Sequence, residues 1–368
     1  MSTVRANQPV VPKLRYRLEK RKESGVLSSL LSILVALVCS FGITYWVITL
    51  IGADATTVLW AIVKGSFGTK NAVIDTLIKS TPIFITGLAT VVAYRAKVWN
   101  IGQEGQLYAG ALGVTGVVLL LKDAGLPAWV FIPTLLIVAV LSGALAGAIP
   151  GVLKSRYNVN EIIVTVMLNY IVLYLTTYLL GGPWQEVGSH YYNTIRFPDT
   201  TNLPLLFGTR LHSGFVIALL LAVLIYYLLW HMKVGYEIRA TGSNPTAARF
   251  KGIDTRRIIL VVMLLSGAIS GLAGGLELLG VHHRLVYGFS VSFGFTGILI
   301  ALLGRLHPLG VAPAAIFFGA LHNGSSAMII HSNVPRELIT AIMGFVIIML
   351  LFWEVVFKYR IRRVEDVQ

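Results

Sequence analysis

The sequence predicts an all-α fold, a polytopic membrane helical bundle of about ten transmembrane helices. Hydrophobic residues make up 56% of the 368 positions, charged residues make up 12%, and the mean hydropathy is +0.77. Because soluble domains carry about a quarter charged residues, this composition indicates a chain surrounded mainly by lipid. Apolar stretches near the ~20-residue length that crosses a bilayer recur along the whole sequence. They are 26–51, 77–94, 105–121, 129–153, 161–180, 215–232, 258–279, 293–303, 311–330 and 338–357.

Two of these stretches differ from the others in length. The stretch 26–51 exceeds the roughly 7–15 residues of a cleavable signal core, so it is expected to be a retained first helix. The stretch 293–303 is too short to cross a bilayer alone and is expected to be a partial or broken span. Cys39 is the single cysteine of the sequence, which excludes an intrachain disulfide and a cysteine cluster that binds metal.

The net charge of +14 is explained by membrane topology. If the N-terminus is cytoplasmic and ten helices alternate in direction, 22 of the 30 Lys and Arg residues lie in inner segments and eight lie in outer segments. This is the positive-inside bias that orients membrane helices. The sequence therefore predicts a multi-pass protein of the cytoplasmic (inner) membrane and gives no reason to expect a nucleic-acid partner.

The domain organisation follows from these spans. Residues 1–25 are expected to form a basic cytoplasmic tail, 26–357 the transmembrane domain, and 358–368 a cytoplasmic C-terminal tail. Longer connections are expected outside the membrane at 52–76 and 181–213, and in the cytoplasm at 233–256. None of them could hold a soluble domain of useful size, so any chemical energy source must lie in another chain.

The stretch VWNIGQEGQLYAG, residues 98–110, concentrates polar groups between two apolar stretches. One interpretation makes Asn100 an N-cap, with Gln103 in a capping box and Glu104 favoured by the positive helix end. The other places Asn100, Gln103 and Glu104 on one helix face, pointing at a polar pathway, because a carboxylate at membrane depth usually faces the bundle interior or water. Both interpretations can hold together.

The stretch NVNEIIVTVMLNYI, residues 158–171, shows a similar arrangement. Asn160 is predicted to cap the helix that Glu161 opens. Glu161, Thr165 and Asn169 then follow one another at four-residue steps on one face. An amide two turns into the membrane needs a partner, so this face is predicted either to make hydrogen bonds to another helix or to line a pathway.

The cytoplasmic connection 233–256 contains GSNPTAARFKG. Asn244 is a natural N-cap, Pro245 suits the first helical position, and Gly252 is placed to end the helix. A rigid helix of about two turns is therefore expected at the cytoplasmic surface. It could be a simple solvated connection, or it could be the element against which a motor subunit pushes.

Signals for catalysis, cofactors and metals are weak. The sequence contains no Gly-Lys pair, so it holds no P-loop for a nucleotide. His282 and His283 are adjacent and do not share a helix face; with Glu277 they are interpreted as interfacial polar residues. No catalytic residue, cofactor or metal ligand is predicted.

Four stretches together resemble one family. RAKVWNIGQEGQLYAGALG, NEIIVTVMLNYI, GYEIRATGSNPTAARFKGI and FGFTGILIALLGRLHPLG are similar to the membrane permease subunits of bacterial ATP-binding-cassette (ABC) importers for nucleosides and simple sugars. The resemblance runs from about residue 75 to the C-terminus. A long external segment at 181–213 resembles the larger of the two paralogous permeases in nucleoside systems.

The resemblance implies a type II importer permease that takes up nucleosides or simple sugars. Its implied partners are an ABC ATPase subunit with two nucleotide-binding domains, a second and paralogous permease, and an external substrate-binding lipoprotein. It also implies a substrate pathway near Asn100, Gln103, Glu104, Glu161, Thr165 and Asn169. The implied residues that couple transport to the ATPase are Gly242, Asn244, Pro245, Ala248 and Arg249. The alternatives are an ion-coupled secondary transporter of small polar solutes and an intramembrane enzyme.

Overall fold

The computed structural model describes residues 14–20, 26–206, 208–332, 341–342, 344–345, 348–349, 352–353, 356 and 359–365. The chain forms two compact units, Thr57–Arg336 and the pair of terminal segments Met1–Thr56 and Glu337–Gln368. The predicted all-α class is confirmed. The elements are β1 (Leu14–Lys20), α1 (Val26–Leu50), α2 (Ala55–Phe67), α3 (Lys70–Arg95), α4 (Gln103–Leu121), α5 (Ala128–Tyr157), α6 (Glu161–Leu180), α7 (Gly214–His231), α8 (Lys233–Ser243), α9 (Pro245–Phe250), α10 (Thr255–Glu277), α11 (Phe293–Leu303), α12 (Pro308–Ser332) and β2 (Tyr359–Glu365).

Six helices of the described residues are long and apolar enough to cross a membrane, namely α3, α4, α5, α6, α7 and α10, the last extended by a π turn to His282. The short helix α11 has the bounds expected for a partial span. The predicted span 338–357 lies largely outside the described residues, so the count of ten transmembrane helices stays a prediction.

Helix α2 is a departure from the sequence analysis, which treated 52–76 as a connection. At 13 residues it is too short to be recognised as a span, yet its sequence is apolar. It packs against α12, where the Ser66 hydroxyl donates to the carbonyl of Ala320 at 2.6 Å. Thr69 then caps α3 by accepting a hydrogen bond from the backbone N–H of Ala72 at 3.1 Å.

Helices α5 and α10 form the closest helix pair of the unit 57–336, and glycine makes this approach possible. A Cβ added at Gly143 would overlap the backbone of Gly267 and Gly271, and one added at Gly271 would overlap the carbonyl of Ala139. Small residues allow this contact in lipid, where packing rather than the hydrophobic effect drives association. The pair forms a rigid platform next to α4, which Gly110 brings onto Gly271.

The two tails carry the strands of the described residues. β1 and β2 pair antiparallel, with Leu14 opposite Glu365 and Lys20 opposite Tyr359. The sequence analysis did not predict this pairing. Because the strands lie in the tails, they do not change the helical class of the transmembrane part.

Candidate functional site

The polar stretch before α4 forms a buried network. Asn100 is fully buried, and its amide nitrogen donates to the side-chain oxygen of Gln106 at 2.9 Å and to the hydroxyl of Ser266 on α10 at 2.8 Å. The expected N-cap at Asn100 is wrong, because α4 begins at Gln103 after Gly102 and has no side-chain cap. The Asn100 side-chain oxygen instead accepts from the N–H of Gly102 at 3.0 Å, which closes a local turn.

Gln103 and Glu104 contact different neighbours. The Gln103 amide is hydrogen-bonded to the hydroxyl of Thr90 on α3 at 2.7–2.9 Å. The Glu104 carboxylate accepts from the Ser290 hydroxyl at 2.6 Å and from the N–H of Gly294 on α11 at 2.7 Å. The expectation that Asn100, Gln103 and Glu104 share one helix face is therefore wrong, because the chain before Gln103 is not helical. The three side chains join the start of α4 to three other helices.

The predicted polar face of α6 packs against this same region. Asn160 caps α6 as predicted, accepting from the N–H of Ile162 at 2.9 Å. Asn169 accepts from the N–H of Gly105 at 2.8 Å and donates to the carbonyl of Ile101 at 2.9 Å. Glu161 forms an ion pair with Lys154 at 2.9 Å. The interhelical hydrogen bonds are thus present, and a role in lining a pathway stays a prediction.

The opposite face of α6 is exposed and carries tyrosines at four-residue steps. Tyr170, Tyr174 and Tyr178 are 54%, 68% and 70% exposed. Their hydroxyl groups lie along a helix that is otherwise apolar on this side, with Ile163 and Ile171 among its exposed residues. A tyrosine in the middle of a span, away from the membrane–water interface, favours a protein or aqueous neighbour over lipid chains.

The short cytoplasmic helix predicted in the connection 233–256 is α9. Asn244 caps it by accepting from the N–H groups of Thr246 and Ala247, each at 3.1 Å, and Pro245 occupies its first position. Ala248 is buried, whereas the Arg249 guanidinium donates to the Thr255 hydroxyl on α10 at 2.7 Å. Gly252, at φ +81°, follows the helix as predicted.

Phe250 is the residue of α9 that the sequence analysis missed. Its ring is 89% exposed at the end of the helix, next to Arg249. A single exposed apolar side chain is common on protein surfaces, so Phe250 is of interest because of its place at the end of the capped helix α9. The signal was available in the sequence, since a phenylalanine between Arg249 and Lys251 is unusual for a solvated connection.

Helix α8 links α9 to the transmembrane helices. Gly242 lies against the carbonyl of Arg95, so the end of α8 touches the end of α3 without an intervening side chain. The guanidinium groups of Arg95 and Arg239 lie 5.0 and 5.8 Å from the centre of the Trp230 ring on α7. Burial, and then the charge of Arg95, lower the pKa of His307 nearby. These contacts join α8, which leads into α9, to α3 and α7.

A cavity of about 730 Å³ lies at the other end of the bundle, the end predicted to be external. Five parts of the chain line it: the start of α3, the connection before α7, the end of α10 with its following turn, the segment that leads into α11, and α12. The polar lining residues include Asp75, Lys79, Arg210, Glu277, His282 and His322. The sequence analysis had assigned Glu277 and His282 to the interface, and it did not anticipate a cavity.

Buried histidines adjoin this cavity. Burial lowers the pKa of His212, and the nearby His283 lowers it further, while the carboxylate of Glu277 raises it. The His212 ring is 1% exposed, its Nδ1 accepts from the N–H of Gly214 at 3.2 Å, and Gly214 and Gly280 leave room for it. Within the described residues, no group of three or more His, Cys, Asp or Glu residues could hold a metal ion.

Most of this sequence is similar to a described protein family and to permease proteins with assigned functions. Residues 72–351 match the family described as "Branched-chain amino acid transport system / permease component". The chain is 35% identical to the guanosine ABC transporter permease protein NupP of Bacillus subtilis, over 88% of this chain and 93% of that protein. It is 34% identical to the glucose ABC transporter permease protein TsgB13 of Haloferax volcanii, over 78% of each. It is 29% identical to the nucleoside ABC transporter permease protein NupB of Lactococcus lactis, over 77% of this chain and 79% of that protein.

Proposed function

The chain belongs to the family of permease components of branched-chain amino acid transport systems, and we propose that the cargo it carries is a nucleoside. It is a membrane permease subunit of an ABC importer. The observation that carries the proposed cargo is the relationship to the guanosine permease, which spans 88% of this chain. The glucose permease, 34% identical, makes a simple sugar the competing cargo.

The cargo is tested by uptake of tritiated guanosine and tritiated glucose in native cells with and without this chain. Guanosine uptake that disappears on deletion and returns on complementation supports the proposal. Glucose uptake with that behaviour, and guanosine uptake unaffected, overturns it. Uptake that persists when the ATPase is inactivated, and stops when the proton or sodium gradient is collapsed, would instead indicate an ion-coupled secondary transporter.

The proposed partner at the cytoplasmic face is an ATPase subunit with two nucleotide-binding domains, docked on α9. Gly242, Asn244, Pro245, Ala248 and Arg249 are proposed to be its coupling residues. Several features support this: the cap holds α9 as a rigid unit, Arg249 ties it to α10, and Phe250 presents an apolar ring to the cytoplasm. ATP-driven closure of the motor would move such a unit as a rigid body and switch access across the bundle.

Coupling is tested with the double substitution Ala248→Trp and Arg249→Glu and, separately, with Phe250→Asp. Both variants should reduce guanosine uptake at least tenfold while the chain still reaches the membrane, and should reduce co-purification of the ATPase. Arg156→Glu is the matched control, since Arg156 is exposed near the inner end of α5 and distant in sequence from α9. Normal uptake in both α9 variants would refute the coupling role.

A second, paralogous permease is proposed to contact the tyrosine face of α6. The exposed hydroxyls of Tyr170 and Tyr174, in the interior of α6, support this, because a polar partner or a wet pathway satisfies them and lipid does not. Tyr178 lies two residues from the end of α6, where a tyrosine also suits the membrane–water interface. An external binding lipoprotein is proposed to deliver the cargo from outside the inner membrane. Replacing Tyr174 with the photo-crosslinking residue p-benzoylphenylalanine should attach the partner permease covalently on irradiation; the same replacement of Leu220, on the exposed face of α7, is the control.

The proposed substrate pathway runs past the contact between the start of α4 and α6. Its proposed residues are Asn100, Gln103, Glu104, Glu161, Thr165 and Asn169. Their buried polar groups support this, since they give the inner end of the bundle a polarity that lipid-facing surfaces lack. Cys39 is the single cysteine, so Cys39→Ala provides a background for single-cysteine labelling. Asn169→Cys should react with a membrane-impermeant thiol reagent during turnover, whereas Ala139→Cys, in the α5–α10 core, should not. Equal reactivity of the two would refute the pathway.

A further inference from the structure

We propose that the outer cavity is a nucleoside-binding site within the permease chain itself, with the Glu277 carboxylate accepting hydrogen bonds from the donor groups of the nucleoside. The inference rests on the proposed nucleoside cargo and extends it to a specific place in the chain. The cavity, about 730 Å³, lies within the roughly 300–1,000 Å³ range typical of small-molecule sites.

Glu277 is a buried acid with few partners. It is 6% exposed and lies where the α-helical part of α10 passes into the π turn that runs to His282. Its ion-pair partner is His282, with Nε2 3.4 Å from the carboxylate, and its charge also acts on His212. An ionised carboxylate can accept about four hydrogen bonds. Glu277 therefore retains acceptor capacity that it directs at the cavity it lines.

The walls of the cavity provide surfaces for a planar ring. The His282 and Phe289 rings lie 6.1 Å apart at 82°, and the Phe293 and His322 rings lie 6.3 Å apart at 70°. All four residues line the cavity. Aromatic edges and faces stack on heterocyclic bases, and this contribution tolerates different bases because every base has a π-face.

This combination favours a nucleoside over a free sugar or an anion. A nucleoside has a flat apolar base and several N–H and O–H donors, which match the rings and the carboxylates of Glu277 and Asp75. A free sugar would use the carboxylates but presents no π-face to the rings. Lys79 and Arg210 offset the charges of Asp75 and Glu277 in the lining, so the cavity gives an anion no advantage over a neutral nucleoside.

The proposed site is tested by photolabelling with 8-azidoguanosine. The complete transporter in native membranes is labelled with and without excess guanosine, and labelled peptides are mapped. Label that guanosine suppresses is expected on the segments 277–293 and 322–326. In Glu277→Gln, the guanosine concentration that gives half-maximal protection should rise about tenfold or more, and Glu277→Asp should restore part of it. Asp123→Asn is the control, since Asp123 is an exposed acid in another connection.

The outcomes separate this inference from the proposed cargo. If wild-type cells take up guanosine but the suppressible label lies on other segments, or if protection is unchanged in Glu277→Gln, the cavity is not the site. If wild-type cells take up no guanosine, the cargo proposal itself fails. Should Glu277→Gln not reach the membrane, Asp75→Asn, on a different helix but lining the same cavity, must weaken protection for the proposal to stand.

Discussion

Glu104 and Glu277 are buried to nearly the same degree, 7% and 6% exposed, yet their hydrogen-bond partners and their positions in the helices differ. Glu104 opens α4, where the helix dipole favours a negative charge, and both of its oxygens receive a hydrogen bond, from Ser290 and Gly294. Glu277 lies where α10 passes into a π turn; its ion-pair partner is His282 at 3.4 Å, and its charge also acts on His212. Burial alone therefore does not distinguish a carboxylate whose oxygens are filled by protein donors from one that retains acceptor capacity; the hydrogen-bond partners do.

The largest effect is expected from Glu104→Ala. It leaves the Ser290 hydroxyl and the Gly294 N–H without their acceptor, and each orphaned buried donor costs about 1–3 kcal/mol. We expect the free energy of unfolding to fall by about 3 kcal/mol, and the yield of folded protein to fall with it. Thermal unfolding in detergent measures the loss of stability. A melting temperature equal to that of the wild type would show that Glu104 does not join α4 to α11.

Substitutions of one glycine that contacts Glu104 and of one that lines the cavity of Glu277 sharpen the comparison. A Cβ at Gly294 would overlap the backbone of Glu104, so Gly294→Ala must push α11 away from α4 and should cost about 2–3 kcal/mol. Gly288 lines the outer cavity with open space around it, so Gly288→Ala should cost only the strain of its φ of +69°, about 1 kcal/mol. The same unfolding assay measures both variants. Equal losses of stability in Gly294→Ala and Gly288→Ala would contradict the difference between the two sites.

Acid should destabilise the outer end through His212. Its pKa is lowered in the folded protein, so below the unfolded value of about 6.5 the unfolded chain binds a proton that the folded chain resists. Stability should be constant above pH 6.5 and should fall toward pH 5, by at most about 2 kcal/mol from this group. His212→Gln should remove that part of the pH dependence. An unchanged pH profile would mean that the remaining acid sensitivity comes from other groups, such as His283.

The smallest stability effect is expected from Glu277→Gln. Removing the Glu277 charge loses one long contact to His282 and a through-space attraction to His212, so the free energy of unfolding should change by less than about 1 kcal/mol. Glu104→Gln keeps the size of the side chain but loses the two hydrogen bonds that the charged carboxylate accepts. It should therefore lower the free energy of unfolding by about 2 kcal/mol more than Glu277→Gln does. Thermal unfolding of the two amide variants side by side gives the measurement, and the reverse order would overturn the distinction between the two acids.

Much of the fold was predictable because helix formation in lipid depends on local hydropathy. The bounds of α6 and α11 were predicted from apolar stretches alone, and the cap of α9 from Asn244 and Pro245. Helix α2 was not, because 13 residues fall below the spanning length. The role of Asn100 was predicted wrongly because it depends on a contact that is distant in sequence. Its sequence neighbours suggest a cap, and only the position of Ser266, 166 residues away, shows that it joins helices.

The outer cavity could not be predicted by the same means. Its lining comes from segments around residues 75, 210, 280, 290 and 322, and nothing in the spacing of these segments states that they converge. Glu277 carried a signal, since an acidic residue within an apolar stretch is a candidate functional residue, but the sequence analysis interpreted it as interfacial. The packing of five segments was needed to show what surrounds it.

The pairing of β1 with β2 has a consequence for the path of the chain through the membrane. Two hydrogen-bonded strands cannot be separated by a hydrocarbon layer about 30 Å thick. The residues 14–20 and 359–365 must therefore lie in the same aqueous compartment, so the chain between them crosses the membrane an even number of times. Nine or eleven crossings are incompatible with this sheet, and reporter fusions placed at either end should report the same side.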